Sequence, residues 1–243
     1  GWPSLRRARS ILRDVGVHIM TSLHIDLAVA SKLLVLIGGG EFSFGETREI
    51  DEYLLSKMPR DRRTIAFLPT ASGSAEYARH FGAYLKTIDE SVDVVNVPIY
   101  RGRDARRQKN LETILSAGMI YLGGGVTNNL VSTLRESPTD MAIREAASNG
   151  AVIAAIGAAA ASFGTSVRDM RGGIGALPSL AWLTDTVIDT AFEPENDTML
   201  RRLMSVPSTR LGLGIPASTA IAVLEDGETE IIGSGQIAAF RRG

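Results

Sequence analysis

Apolar residues fall in short unbroken runs, separated by small-residue loops and longer amphipathic stretches, from Leu33 onward. Leu33-Leu34-Val35-Leu36-Ile37 has no polar position. That is the mark of a strand buried on both faces, and it opens directly into Gly38-Gly39-Gly40. Thr47 to Met58 reads as a helix stopped by Pro59, because proline cannot continue the ladder. A second strand, Thr64 to Leu68, delivers Pro69-Thr70-Ala71-Ser72-Gly73, after which Ser74 is placed to cap a helix running to Ile88. Val92 to Val97 reads as a strand, Leu111 to Ala117 as a helix, and Met119 to Leu122 as a strand that opens into Gly123-Gly124-Gly125. Asn128 to Glu136 and Pro138 to Asn149 read as helices, the second entered by a proline suited to a first turn. Ala151 to Ile156 is again wholly apolar.

Strands alternating with helices at this spacing predict a parallel sheet covered on both faces, with ligands beyond the carboxyl ends of the strands. The glycine-rich segments all fall at such ends. Past Gly164 the alternation loosens: Gly172, Gly173 and Gly175 suggest an irregular connection, followed by a strand at Asp185 to Ile188, a helix at Asn196 to Met204 and a strand at Leu211 to Ile215. Ile221 to Leu224 is expected to pair with Glu230 to Ile232 across the Asp226-Gly227 turn. The expected fold is therefore α/β, a mainly parallel sheet with helices on both faces and antiparallel strands at its margin at the C-terminal end. No linker divides 32–243, which reads as one domain.

A length of 243 residues with 44% hydrophobic and 22% charged content describes a globular chain. The 26 cations against 27 acids give a net charge of −1, so no positive field points to nucleic acid or an anionic membrane. Only Lys32, Lys57, Lys86 and Lys109 are lysines, an arginine preference that coding bias explains. The absence of cysteine excludes disulfides, thiolate nucleophiles and Cys-ligated metals. His18, His24 and His80 are the three histidines, and they lack the spacing of a metal-binding pair on a helix. No metal and no cofactor is expected. The triple glycines match neither a phosphate loop nor a dinucleotide fingerprint, so close backbone packing is their expected role.

Residues 1–31 read as an N-terminal extension. Gly1 to Ile19 carries Arg6, Arg7, Arg9 and Arg13 against the single acid Asp14, with apolar residues between them. Three readings stand: an organelle-targeting helix, an ordinary helix, or a reading frame extended upstream of Met20. With no secretory signal and no apolar run of about 18 residues, a cytoplasmic protein is expected.

The elbow strand Ile153-Ala154-Ala155-Ile156 runs into Gly157-Ala158-Ala159-Ala160-Ala161. This is the strand-to-helix context in which hydrolases of the α/β type expose a nucleophile, without the serine. Together with Ile37 to Gly40, Leu68 to Ser72, Tyr121 to Gly125, Gly173 to Pro178, Val187-Ile188-Asp189 with Phe192, Leu200 to Leu203 and Gly212 to Ile215, it makes the chain resemble the cyanophycinase and dipeptidase E group of serine peptidases. That resemblance covers almost everything from Leu33 to Phe240 and implies a fold related to class I glutamine amidotransferases.

The family elbow reads Gly-Thr-Ser-Ala-Gly-Ala, so the resemblance puts Gly157 on the catalytic serine and Ala159 on the following glycine. The family histidine falls on Ala191, in Asp189-Thr190-Ala191-Phe192. Polar residues that relatives carry after the glycine pair are replaced by Gly125-Val126, and an acidic pair is replaced by Pro216-Ala217. The resemblance thus implies a site made of Gly38, Gly39, Gly123, Gly124, Gly125, Val126, Gly157, Ala158 and Ala191, with neither nucleophile nor base. The expected function is binding of a small molecule or peptide by an inactive relative. The alternatives are an active hydrolase for Asp-containing peptides that uses an unconventional nucleophile such as Ser162, or a purely structural partner in a homo-oligomer. His80, four residues after Glu76, is read as a helix-surface histidine in preference to half of a catalytic pair.

Overall fold

The computed structural model describes residues 9–12, 16–19, 23–173 and 175–242. In chain order its first half holds β1 (Arg9–Leu12), β2 (Gly16–Ile19), β3 (Leu33–Ile37), α1 (Arg48–Lys57), β4 (Thr64–Leu68), α2 (Glu76–Ile88), β5 (Asp93–Asn96), α3 (Gln108–Ser116) and β6 (Met119–Leu122). Then come α4 (Thr127–Leu134), α5 (Pro138–Ser148), β7 (Val152–Ile156), α6 (Ala158–Ala161), β8 (Ser166–Arg168), β9 (Ala176–Pro178), β10 (Thr186–Thr190) and α7 (Thr198–Leu203). Four strands close the chain: β11 (Leu211–Ile215), β12 (Thr219–Leu224), β13 (Thr229–Gly233) and β14 (Ala238–Arg241).

The main sheet has the order β13-β12-β3-β7-β6-β4-β5. β3, β7, β6, β4 and β5 are mutually parallel, and β12 and β13 close the edge in antiparallel fashion, with Ile221 opposite Ile231 as the turn signal required. The unbroken apolar runs have a direct physical cause. Along β3, Leu34 and Leu36 enter one core with Ile114 of α3, Leu130 of α4 and Ile143 of α5. Leu33, Val35 and Ile37 enter the other with Ile50 and Leu54 of α1 and Phe81 and Leu85 of α2. Both faces of the strand are dry, so alternation has no polar side to show.

Four features depart from the sequence reading. The last strand, β14, leaves the margin of the main sheet and joins a second sheet of order β10-β11-β14-β1-β2, in which β10 and β11 are parallel and β11 and β14 antiparallel. The described part of the arginine-rich N-terminus is extended instead of helical. β1 pairs parallel to β14 with Arg9 opposite Ala238, and β2 pairs antiparallel to β1. An unpaired edge of β14 offers backbone partners that a lone short helix lacks, while the rest of the targeting pattern, 1–8 and 13–15, lies outside the described residues. The glycine-rich connection is a hairpin of β8 and β9. Finally, α2 begins at Glu76 behind Ala75 with no side-chain cap, and the Ser74 N–H instead donates to Ser72 Oγ at 3.2 Å.

Residues 23–31 pack onto the domain, with Leu23, Ile25 and Val29 in the larger core. No helix among the described residues is long and apolar enough to cross a membrane.

Candidate functional site

Because β3, β4, β6 and β7 run parallel, their carboxyl ends share one edge of the sheet, and the turns that leave them converge there. Gly38 to Gly40, Pro69 to Gly73, Gly123 to Gly125 and Gly157 are those turns. Gly39, Gly40, Gly123, Gly124 and Ile156 line a cleft of about 330 Å³, together with Glu41, Phe67, Ser72, Ser74 and Tyr77.

Gly157 stands between β7 and α6 at φ 59° and ψ −126°, a backbone region that side-chain-bearing residues rarely enter. A Cβ built on it meets no atom within 4 Å. Its N–H donates to Ile37 O at 2.9 Å, while the N–H of Ala191 donates to the next carbonyl, Gly38 O, at 2.8 Å. Two consecutive carbonyls at the end of β3 therefore tether both positions to one turn. Ala191 follows β10, is exposed, and adopts φ 48°. Pro216 and Ala217 lie beside it: Ser218 N donates to Gly39 O, and a Cβ on Gly38 would stand 2.0 Å from Pro216 O.

Of the remaining positions, Gly123 and Gly124 line the cleft and Gly125, Val126 and Ala158 do not. Gly125 packs against Ala71, whose carbonyl carbon would be 2.4 Å from an added Cβ, and Val126 donates its N–H to Ala71 O. Gly123 abuts the Phe67 ring and Gly124 the Ile156 carbonyl. These contacts are the close packing read from the glycines. Ala158 opens α6 and is half-buried. Ser162 ends that helix fully buried, its hydroxyl donating to Ala158 O at 2.8 Å. The Ser162 hydroxyl is thus shut from solvent and committed to a helical carbonyl. His80 is exposed on α2, and the Glu76 proposed as its companion pairs instead with Arg79 at 3.0 Å.

The sequence reading missed Glu41, Phe67 and Tyr77, and took Ser72 and Ser74 for turn and cap residues. Phe67 sits in β4 one residue from its carboxyl end, where the sheet rule locates ligands, whereas Glu41 and Tyr77 carry no such local signal. Phe42 fixes this wall. Its ring meets Tyr77 edge-on at 5.5 Å and Tyr84 at 4.9 Å. Burial pushes the Tyr77 phenol up to about 12, helped by the charges of Glu41 and Asp51.

Asp51 lies beneath, fully buried. Tyr84 and Thr47 hydroxyls both donate to its Oδ2, at 2.7 and 2.8 Å, and its buried Oδ1 has no partner. Burial outweighs the two donors and raises this carboxyl from 3.8 to about 6. A raised carboxyl favours the folded state while it is protonated. Its contribution is full below about pH 4 and is lost as pH rises through 6, a swing of roughly 2–3 kcal/mol. Urea melts at pH 4 and 7 should show Asp51→Asn gaining on the wild type by that amount between the two. Equal displacement at both pH values would contradict it.

The Peptidase family S51 model matches residues 34–231. The uncharacterized peptidase YgaJ of Bacillus subtilis (strain 168) is 34% identical over 156 residues, 63% of this chain, and the match spans 65% of that relative's length. Among solved structures, a peptidase from an acI-B1 Actinobacterium superposes with a TM-score of 0.69 at 19% identity, over 85% of this chain and 89% of that one. A putative peptidase E protein from Listeria monocytogenes EGD-e gives 0.57 at 17% identity, over 88% and 100%. At these identities the two structures show a shared fold.

Proposed function

The chain belongs to peptidase family S51, and we propose that within it this protein has kept the scaffold without serine-type hydrolysis, binding a small molecule or short peptide in the cleft beyond β3, β4, β6 and β7. The observation that carries this reading is the turn at Gly157. It has the strained strand-to-helix geometry that presents a nucleophile, with open space where a side chain would stand, and it carries none. Ala191, the position matched to the family base, carries only a methyl group. Acyl transfer of this type needs a nucleophile and a base within hydrogen-bond reach.

The preformed cleft supports retained binding. Its wall combines rings, hydroxyls and backbone groups, the mixture that orients small ligands. The peptidase labels of YgaJ and of the actinobacterial and Listeria proteins transfer here as ancestry of the scaffold. Purified protein is expected to give no covalent adduct with a fluorophosphonate probe and no cleavage of Asp-containing dipeptides. Stoichiometric labelling of any serine, Ser72 and Ser74 in the cleft foremost, would overturn the reading.

A further inference from the structure

The opposite edge of the main sheet, where β3 and β7 begin, holds a separate cavity of about 370 Å³. Its floor is apolar by register. Leu33 opens β3 with Val152 of β7 opposite it on one side and Leu224 of β12 on the other, and all three line the space. The charged groups around this floor have one sign: Lys32, Lys57 and Arg62 line the cavity, and no acid does. Two of the chain's four lysines thus meet at one place, in a protein whose 27 acids outnumber its 26 cations.

Cations elsewhere have carboxylates of their own, Arg48 with Glu52, Arg63 with Asp89 and Lys86 with Asp93. Lys32, Lys57 and Arg62 make no ion pair with any described residue. The backbone around them sets their positions. Arg62 is packed against Gly118, where an added Cβ would stand 1.9 Å from the Arg62 carbonyl oxygen. Its Nη2 donates to Asn149 O at 2.9 Å, which leaves most of the guanidinium donors unspent. Gly150 follows α5 at φ 98°, and a Cβ there would stand 3.4 Å from Arg62 Nη2 and 3.8 Å from Lys32 Cδ, so both side chains reach the same point. Lys57, in the last turn of α1, holds its Nζ 5.4 Å from the centre of the Tyr53 ring. The Tyr53 hydroxyl is taken up by Glu230 at 3.0 Å, and Glu230 lines a different cavity. Like charges gathered without a counterion repel one another, and an anion seated among them reverses that cost.

We propose that this cavity binds the phosphate of a small molecule through Lys32, Lys57 and Arg62, with the organic body of the ligand laid on Leu33, Val152 and Leu224 beside the Tyr53 ring. A phosphate monoester presents three acceptor oxygens and close to two negative charges at neutral pH, which suits three cations better than a singly charged carboxylate does. Guanidinium and ammonium donors are the groups that hold such oxygens. Two sources share the chemistry, a phosphate ester and inorganic phosphate. The apolar floor favours the ester, since the bare ion would leave that surface in water.

Titration calorimetry on the full chain with phenyl phosphate, inorganic phosphate and phenol tests this. Phenyl phosphate should bind more tightly than inorganic phosphate, and phenol should not bind. Lys32→Gln and Lys57→Gln should each weaken phenyl phosphate about tenfold, the usual scale for a charge-assisted contact, and Lys57→Glu should abolish its binding. Both lysines are exposed, so the variants should melt with the wild type. Lys86→Gln, which removes a lysine already paired with Asp93, should bind as the wild type does. Equal affinity for the two phosphates assigns the free ion in place of the ester. If neither phosphate binds, if phenol binds as well as phenyl phosphate, or if Lys32→Gln and Lys57→Gln leave affinity unchanged, the phosphate site is wrong.

Discussion

Combining Gly157→Ser with Ala191→His is expected to give a protein that a fluorophosphonate labels at position 157, about a hundredfold or more faster than Gly157→Ser alone. The factor is the usual contribution of a positioned general base. A serine fits because the added Cβ meets nothing within 4 Å, and the elbow conformation is already imposed by the backbone bond from Gly157 to Ile37. The histidine enters at φ 48°, a left-handed position that histidine occupies more readily than most residues. Its backbone is fixed one carbonyl away, at Gly38. The aligned family pattern calls for glycine at Ala159 as well, but Ala159 sits buried inside helical α6. Glycine there would cost about 1 kcal/mol of helix propensity without relieving strain, so the double variant suffices. Placing a Cβ at Gly157, where φ is 59°, should cost roughly 1–3 kcal/mol, read as a lowered Tm; Ala191 already carries its Cβ at φ 48°. Labelling of the double variant at position 157, with Gly157→Ser about a hundredfold slower or more and Ala191→His inert, is the expected pattern. A folded double variant that stays unlabelled would reject Ala191 as the base position.

Gly38→Ala should have the largest effect on stability, beyond about 4 kcal/mol, and should leave little folded protein. The added methyl would stand 2.0 Å from Pro216 O and 2.4 Å from Ile215 O. Both are backbone atoms at the end of β11, a strand held on each side by β10 and β14, so neither can rotate away. Gly38 is also held by its own bonds to Thr219 O and from Ala191 N. Circular dichroism and a urea melt decide the matter. Gly39→Ala is the control: its nearest contact would be Ala217 at 4.0 Å, and only its φ of 144° opposes a side chain. If Gly38→Ala melts like the wild type, the approach of the two sheets at this point is misplaced.

The central strands were legible because burial on both faces erases alternation. β3, β4, β6 and β7 each appear as an apolar run with its boundaries nearly correct, and the small-residue turns mark their ends. β5 was legible as a strand, and its exposed Val95 fits its place at the sheet edge. Helix starts were less legible. Ser74 looks like a cap, yet the chain spends it on an Asx-like turn with Ser72, because local polar side chains offer competing bonds over a few residues. α3 begins at Gln108, three residues before its first apolar signal at Leu111, since the polar first turn has no periodicity to read.

Candidate site positions divide in the same way. Gly157 and Ala191 stand out from local pattern and family resemblance, whereas Glu41 and Tyr77 resemble ordinary surface residues in any window of the chain. What joins them is the convergence of β3 and β4 at one edge, followed by the packing of Phe42 onto α2.

The amino-acid sequence by itself determined the alternation of strand and helix, the parallel direction of the main sheet and the glycine turns at its carboxyl edge, because these depend on periodicity and backbone freedom within about twenty residues. Tertiary structure alone decided the second sheet, in which Arg9 lies opposite Ala238, the tether that brings Ala191 to Gly38, and the burial of Ser162. Each of these depends on contacts between distant segments, whose free energy comes from desolvation and backbone pairing in the assembled fold and leaves no periodic trace in the residues that make them.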